Sequence, residues 1–185
     1  MMEEVEDEEE ESGSPEENQE GEYQTAPGSP AKKEDDNEEQ LMQISTHAIQ
    51  GTYGINTFSL ITYVKGRKAV ALVDSGSTNT FMNYEFALRS GCEIIEFDHN
   101  RVMVAGGGIL NSTAKTEVIQ YKVQGYLFGK AFQLIPLKGY DIVLGADWIY
   151  EHSPINLDLK QRTLTVTYKG QNINSKTILH LVEKC

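Results

Sequence analysis

"VALVDSGSTNTF" (residues 70–81) sets one acidic side chain, Asp74, at the end of an apolar run and directly before Ser75, Gly76, Ser77 and Thr78. A carboxylate left unpaired at the end of a buried strand is costly. Gly76 allows a tight backbone approach, and its N–H and those beside it are expected to donate to that carboxylate. Ser75 is small enough to hydrogen-bond across a close contact. Taken alone, Asp-Ser-Gly reads in two ways: a carboxylate held rigid for use, or an Asx-type turn after a strand. A second stretch, "YDIVLGADW" (140–148), repeats the logic. There an apolar strand carrying Val143 and Leu144 delivers Gly145 at its end.

Outward from these two stretches the pattern is one of short strands broken by glycines. "TFSLITYV" (57–64), the turn "KGR" (65–67) and "KAVALV" (68–73) form a hairpin whose second arm is apolar on both faces, hence central. "NYEFALRSG" (83–91) predicts a short helix with Asn83 capping its start, Gly91 ending it and Phe86 facing the core. Further strands are predicted at 92–97, 101–105, 116–123, 130–137, 140–145, 155–159 and 162–168, with "GGG" (106–108) as a turn and "ADWIYEH" (146–152) as a second helical stretch. Many short strands and one or two short helices give an all-β, closed-barrel class.

The charge is uneven. Residues 1–40 carry a net −15 and residues 41–185 a net +3, together the −12 of the 185-residue chain. The Glu-, Ser-, Pro- and Gly-rich leader has too little apolar surface to offset its ordering entropy, so residues 1–42 are expected to be a disordered acidic tail. The folded domain is expected over 43–168, with 169–185 of unassigned role. Cys92 and Cys185 lie far apart and form neither a disulfide framework nor a zinc pattern. No signal peptide and no apolar stretch of membrane-spanning length is visible, so a soluble, cytoplasmic, non-secreted protein is expected. His47, His99, His152 and His180 lack ligand spacing. "KGRK" (65–68) is too small a basic patch for nucleic acid. No hydrolase elbow or nucleotide loop occurs.

At this point a resemblance is specific. "LVDSGSTNTFMNYEFALRSGCEI", "RVMVAGGG", "VQGYLFGKAFQLIPLKGYDIVLGADWIYEHSPI" and "NLDLKQRTLTV", in that order, resemble the retropepsin-like aspartic protease of gypsy-type LTR retrotransposon polyproteins, especially those of plants. The resemblance covers roughly residues 45–168, and "QISTHAIQGTYG" (43–54) resembles that protease's own first segment. It implies an acid-protease barrel in which the Asp74 loop and the Val143-Leu144-Gly145 strand cross beneath a catalytic carboxylate. Only one such Asp box occurs, so the resemblance implies a homodimer in which two Asp74 side chains hold a water between them, with a polypeptide as substrate and no metal or other cofactor.

Residue by residue, it implies that Asp74 is catalytic, that Ser75 ties the two active-site loops together and that Gly76 contacts substrate backbone. Ser77, Thr78 and Asn79 would border the substrate cleft. Thr78 and Asn79 depart from the acidic pair of retroviral enzymes, so subsite preference does not carry over. Gly106, Gly107 and Gly108 fall where a mobile flap belongs, although an ordinary glycine hairpin reads the same way. Trp148 reads as core packing, Asp147 as a helix-start or interface acid, and Asp141 as structural. Zinc-knuckle and polymerase motifs are absent from this segment. The alternative is a domesticated module that keeps the fold for dimerisation or peptide binding and has lost catalysis.

Overall fold

The computed structural model describes residues 41–54 and 57–176. The chain opens with β1 (Met42–Ile44) and α1 (Thr46–Gln50) and then forms the hairpin β2 (Phe58–Val64) and β3 (Arg67–Val73). Next come β4 (Phe81–Asn83) and α2 (Tyr84–Arg89), then the long hairpin β5 (Ile94–Val104) and β6 (Ile109–Thr116). A second hairpin, β7 (Ile119–Val123) and β8 (Tyr126–Lys130), leads through β9 (Gln133–Ile135) and β10 (Ile142–Leu144) to α3 (Ala146–Glu151). β11 (Asn156–Asp158), β12 (Thr163–Tyr168) and β13 (Gln171–Lys176) form a separate three-stranded sheet.

The other strands make a 10-stranded sheet in the order β1-β5-β6-β9-β4-β10-β3-β2-β7-β8. The all-β class therefore holds, with three short helices; α1, held by Ser45 at its start and Gly51 at its end, is additional to the two expected from the sequence. Residues 1–40 of the expected acidic tail lie outside the described residues, as does "TILHLV"; the expected boundary at 42 moves back, because Met42 is buried and opens β1.

Three hairpins share one device. Lys65-Gly66, Gln124-Gly125 and Lys169-Gly170 each occupy positive φ at both turn residues. Such two-residue turns match the right-handed twist of the strands they join. Two apolar clusters fill the interior. One gathers Leu60, Phe86, Tyr121, Phe132, Leu144 and Trp148. The other gathers Met42, Ile44, Leu72, Phe81, Val102 and Val143. Each such buried aliphatic or aromatic side chain contributes about 1.5–3 kcal/mol.

Several expected boundaries move. The strands expected at 92–97 and 101–105 are one strand, β5, whose pairing with β6 shifts register between Glu96 and Asn100. An irregularity there bends the strand without ending it. The strand expected at 116–123 begins at Ile119. The strand expected at 130–137 is divided: its start completes β8 against β7, and β9 pairs with β4 and β6. β6 was not foreseen because its buried positions are Ser112, Ala114 and Thr116, which carry little apolar signal. The helix at 83–91 is shorter at both ends, with the Asn83 side chain accepting from Phe86 N–H at 2.9 Å as expected.

Candidate active site

β10 lies between β3, to which it runs parallel, and β4, to which it runs antiparallel. This inserts Val143 and Leu144 beside Leu72 and Val73 and carries the chain on beneath the loop of residues 74–80. Asp74 N–H donates to Leu144 O at 3.0 Å, continuing the ladder to the carboxylate itself. Gly145 then passes so close to the loop that a Cβ there would stand 2.2 Å from Asn79 O and 2.8 Å from Ser77 O. Only glycine fits this crossing. Ala146 N–H donates to Ser77 O at 2.7 Å and Asp147 N–H to Thr78 O at 3.2 Å, so the first amides of α3 are satisfied by the Asp74 loop.

Thr80 locks the same crossing from below. Its buried hydroxyl accepts from Gly145 N–H at 3.3 Å and donates to Asp147 Oδ1 at 2.7 Å. Asp147 also receives Trp148 N–H at 2.8 Å and pairs with Lys130 at 3.0 Å, while Lys130 reaches Glu151 as well. Asp147 is thus a helix-start acid that braces the loop. Trp148 is buried and donates its indole N–H to Tyr121 Oη at 2.6 Å, which makes it a core residue. Asp141 Oδ2 accepts from Val70 N–H at 2.9 Å and so ties β3 to the turn before β10.

Asp74 itself is half-buried. Its Oδ1 accepts from Gly76 N–H at 3.1 Å, and its Oδ2 accepts from two hydroxyls, Ser77 Oγ and Ser45 Oγ, each at 2.6 Å. The Gly76 amide donor is the one its position in the box suggested. Ser77 is fully buried, whereas Ser75 and Gly76 are exposed beside the carboxylate. Thr78 is exposed and Asn79 half-buried, and Thr78 Oγ1 donates to Asn79 Oδ1 at 2.7 Å. A cleft of about 440 Å³ opens beside Asp74 and Ser75, lined also by His47, Thr52, Phe58 and Leu157. Tyr140 donates to the carbonyl of one lining residue, Thr52 O, at 3.1 Å. Burial first, then the neighbouring Tyr53 and Asp74, raise its hydroxyl above the ordinary tyrosine range, against a lowering bond to Thr57.

Gly106, Gly107 and Gly108 form the exposed tip of the β5–β6 hairpin, with φ of +96°, +104° and +104°. Val104 N–H bonds to Gly108 O at 3.0 Å and closes the tip. The hairpin meets the Asp74 loop through residues 43–46. Ala105 N–H donates to Ile44 O at 2.9 Å, and Thr46 Oγ1 donates to Ala105 O. On the other side Gln43 N–H donates to Thr78 Oγ1 at 2.8 Å, and Thr78 N–H returns to Gln43 O at 2.9 Å. Sequence reading placed 43–54 at the start of the domain but did not bring Gln43 or Ser45 to Asp74. Nor did it find the Thr80–Asp147 lock. A Ser-Thr pair before a short helix signals only an N-cap, and the contacts span 29 to 67 residues.

Among the described residues no group of three or more His, Cys, Asp or Glu is arranged to hold a metal ion. Among them, too, no helix is long and apolar enough to cross a membrane.

Residues 70–180 match the family described as the PEG10/RTL1 protease domain. No curated protein sequence matches this chain. Among solved structures, the retroviral protease-like domain of Ddi1 from Leishmania major is similar at 22% identity and a TM-score of 0.48, covering 68% of this chain and 96% of that one. EIAV protease complexed with the inhibitor HBY-793 is similar at 17% identity and a TM-score of 0.41, covering 54% of this chain and 92% of that one.

Proposed function

We propose that this chain, which belongs to the PEG10/RTL1 protease domain family, is an aspartic endopeptidase that works as a homodimer through Asp74. The observation that carries the reading is the crossing at Gly145, which holds one carboxylate on a rigid, braced loop at the edge of a cleft. One Asp-Ser-Gly box per chain supplies half of a two-carboxylate site. A twofold dimer with its axis beside Asp74 supplies the other half.

The chemistry follows from two carboxyl groups about 3 Å apart, which cannot both ionise easily and so share one proton. The apparent pKa values belong to the pair. The ionised carboxylate takes a proton from the water between them, and the resulting hydroxide attacks the scissile carbonyl carbon. The protonated carboxyl donates to the carbonyl oxygen, giving a gem-diol. Collapse breaks the C–N bond as the amine receives a proton and the carboxylic acid departs. Gly76 contacts the backbone of an extended peptide, Thr78 borders it, and the hairpin of Gly106–Gly108 covers it and excludes water. An origin in a gypsy-type retrotransposon polyprotein belongs to the same proposal and is supported by the order of the sequence boxes; a cytoplasmic site of action is proposed with it.

The test is peptide cleavage by the full chain across about pH 4 to 7. Asp74→Asn and a statine-type inhibitor serve as controls. Cleavage abolished by both is the expected result. Cleavage that survives Asp74→Asn, or a folded dimer that cleaves nothing, would overturn it, and the second result would favour the non-catalytic peptide-binding module.

A further inference from the structure

The strand β1 is an edge strand laid parallel along β5, and it lies between the hairpin and the Asp74 loop. Its backbone is used on both sides. Gln43 exchanges two bonds with Thr78, Ile44 O receives Ala105 N–H, and Ser45 N–H donates to Ser77 Oγ at 3.1 Å. Ser45 then sits on the site itself: its Cβ is 3.3 Å from where a Cβ on Gly76 would be, and its hydroxyl bonds to Asp74. This is how an extended peptide adds to a sheet edge, with main-chain bonds giving register and alternate side chains filling pockets. Ile44 fills such a pocket, fully buried in the cluster that holds Leu72, Phe81, Val102 and Val143.

We infer that residues 42–46 occupy the chain's own substrate channel, as an intramolecular peptide that a substrate must displace. The inference rests on the endopeptidase reading for the identity of the channel and adds its occupant. A substrate bound there would need the Thr78 and Ala105 amides, which the segment now uses, and would run past Gly76, beside which Ser45 now stands. The segment also defines the ligand class: an extended peptide with an aliphatic side chain in the place of Ile44 and a small one in the place of Ser45. Ser45 is the release point. Its two donations, to Ser77 and Asp74, are the last polar contacts before the chain turns into α1.

Ser45→Pro tests this in the full chain. Ser45 has φ −70° and follows a strand residue, so proline fits the backbone while both donors are lost. Ser45→Ala, which removes only the hydroxyl, is the milder second variant. The probe is a statine-type peptide carrying Gln-Ile before the statine, with affinity measured beside hydrogen exchange at the Thr78 and Ala105 amides. If the channel is open in about a tenth of wild-type molecules, freeing it strengthens apparent binding about 10-fold.

The expected result is slow exchange at both amides in the wild type, faster exchange in Ser45→Pro, and tighter peptide binding in both variants, with Ser45→Ala intermediate. Binding unchanged, weakened or undetectable in the folded variants would overturn the inference; if Ser45→Pro does not fold, Ser45→Ala decides alone. A gain in affinity with no cleavage by any variant keeps the occupant and removes the endopeptidase. Equal affinity and equal cleavage by wild type and variants does the reverse.

Discussion

The floor and the roof of the candidate site are built from the same residue, glycine, put to opposite uses. In the floor, Gly145 lets two backbones approach until no side chain could stand between them, and the N–H groups of Gly145, Ala146 and Asp147 are all bonded across the contact. In the roof, Gly107 and Gly108 have open space around the position of a Cβ and are glycine for their backbone angles alone. The floor fixes a carboxylate in place, and the hairpin tip is free of side chains. The proposed endopeptidase needs both, one to position Asp74 closely and the other to admit a polypeptide.

The comparison breaks most readily at Gly145. Gly145→Ala forces a methyl group into backbone oxygens that cannot step aside, and denaturant unfolding is expected to show a loss of at least about 3 kcal/mol. A loss below about 1 kcal/mol would mean that the crossing is not tight. Thr80→Val keeps the shape and removes the hydroxyl that joins Gly145 to Asp147, so a loss of about 1–3 kcal/mol is expected, with Thr80→Ser restoring most of it. In the roof, Gly107→Ala meets no neighbour and costs only its positive φ, about 1 kcal/mol in thermal or denaturant unfolding. If it costs as much as Gly145→Ala, the two regions do not differ as described.

The smallest effect is on pH dependence and belongs to the helix behind the floor. His152 ends α3 and packs against Trp148 and Phe128. Burial, as the largest cause, holds its imidazole below the ordinary value of 6.5, against a raising bond to Thr167 O. The unfolded chain therefore binds a proton more readily than the folded one. The associated stability is complete above the unfolded value and is lost as pH falls through it toward the folded one. Unfolding measured between about pH 5 and 8 should show this slope, and His152→Phe should flatten it.

Much of this architecture was legible because it rests on local chemistry. The Asp74 box, the apolar strand ending in Gly145, the Lys65-Gly66 hairpin and the Asn83 cap each declare themselves within a few residues. The missed parts depend on distant partners. β6 pairs between β5 and β9 and buries Ser112, Ala114 and Thr116, and no periodicity of apolar residues records that. The Thr80–Asp147 lock and the Ser45–Asp74 contact join residues whose own neighbourhoods suggest only a turn and a helix start. β5 looked like two strands because Asp98, His99 and Asn100 read as a loop, whereas a register shift carries the strand through them.

The most direct test of the central claim is a mixing experiment. Wild-type and Asp74→Asn chains are combined at fixed total concentration, allowed to exchange subunits, and assayed for peptide cleavage. If two Asp74 side chains make one site, activity follows the square of the wild-type fraction, so an equal mixture retains about a quarter of full activity. Activity proportional to the wild-type fraction, about half in an equal mixture, would place a working site within one chain and contradict the account.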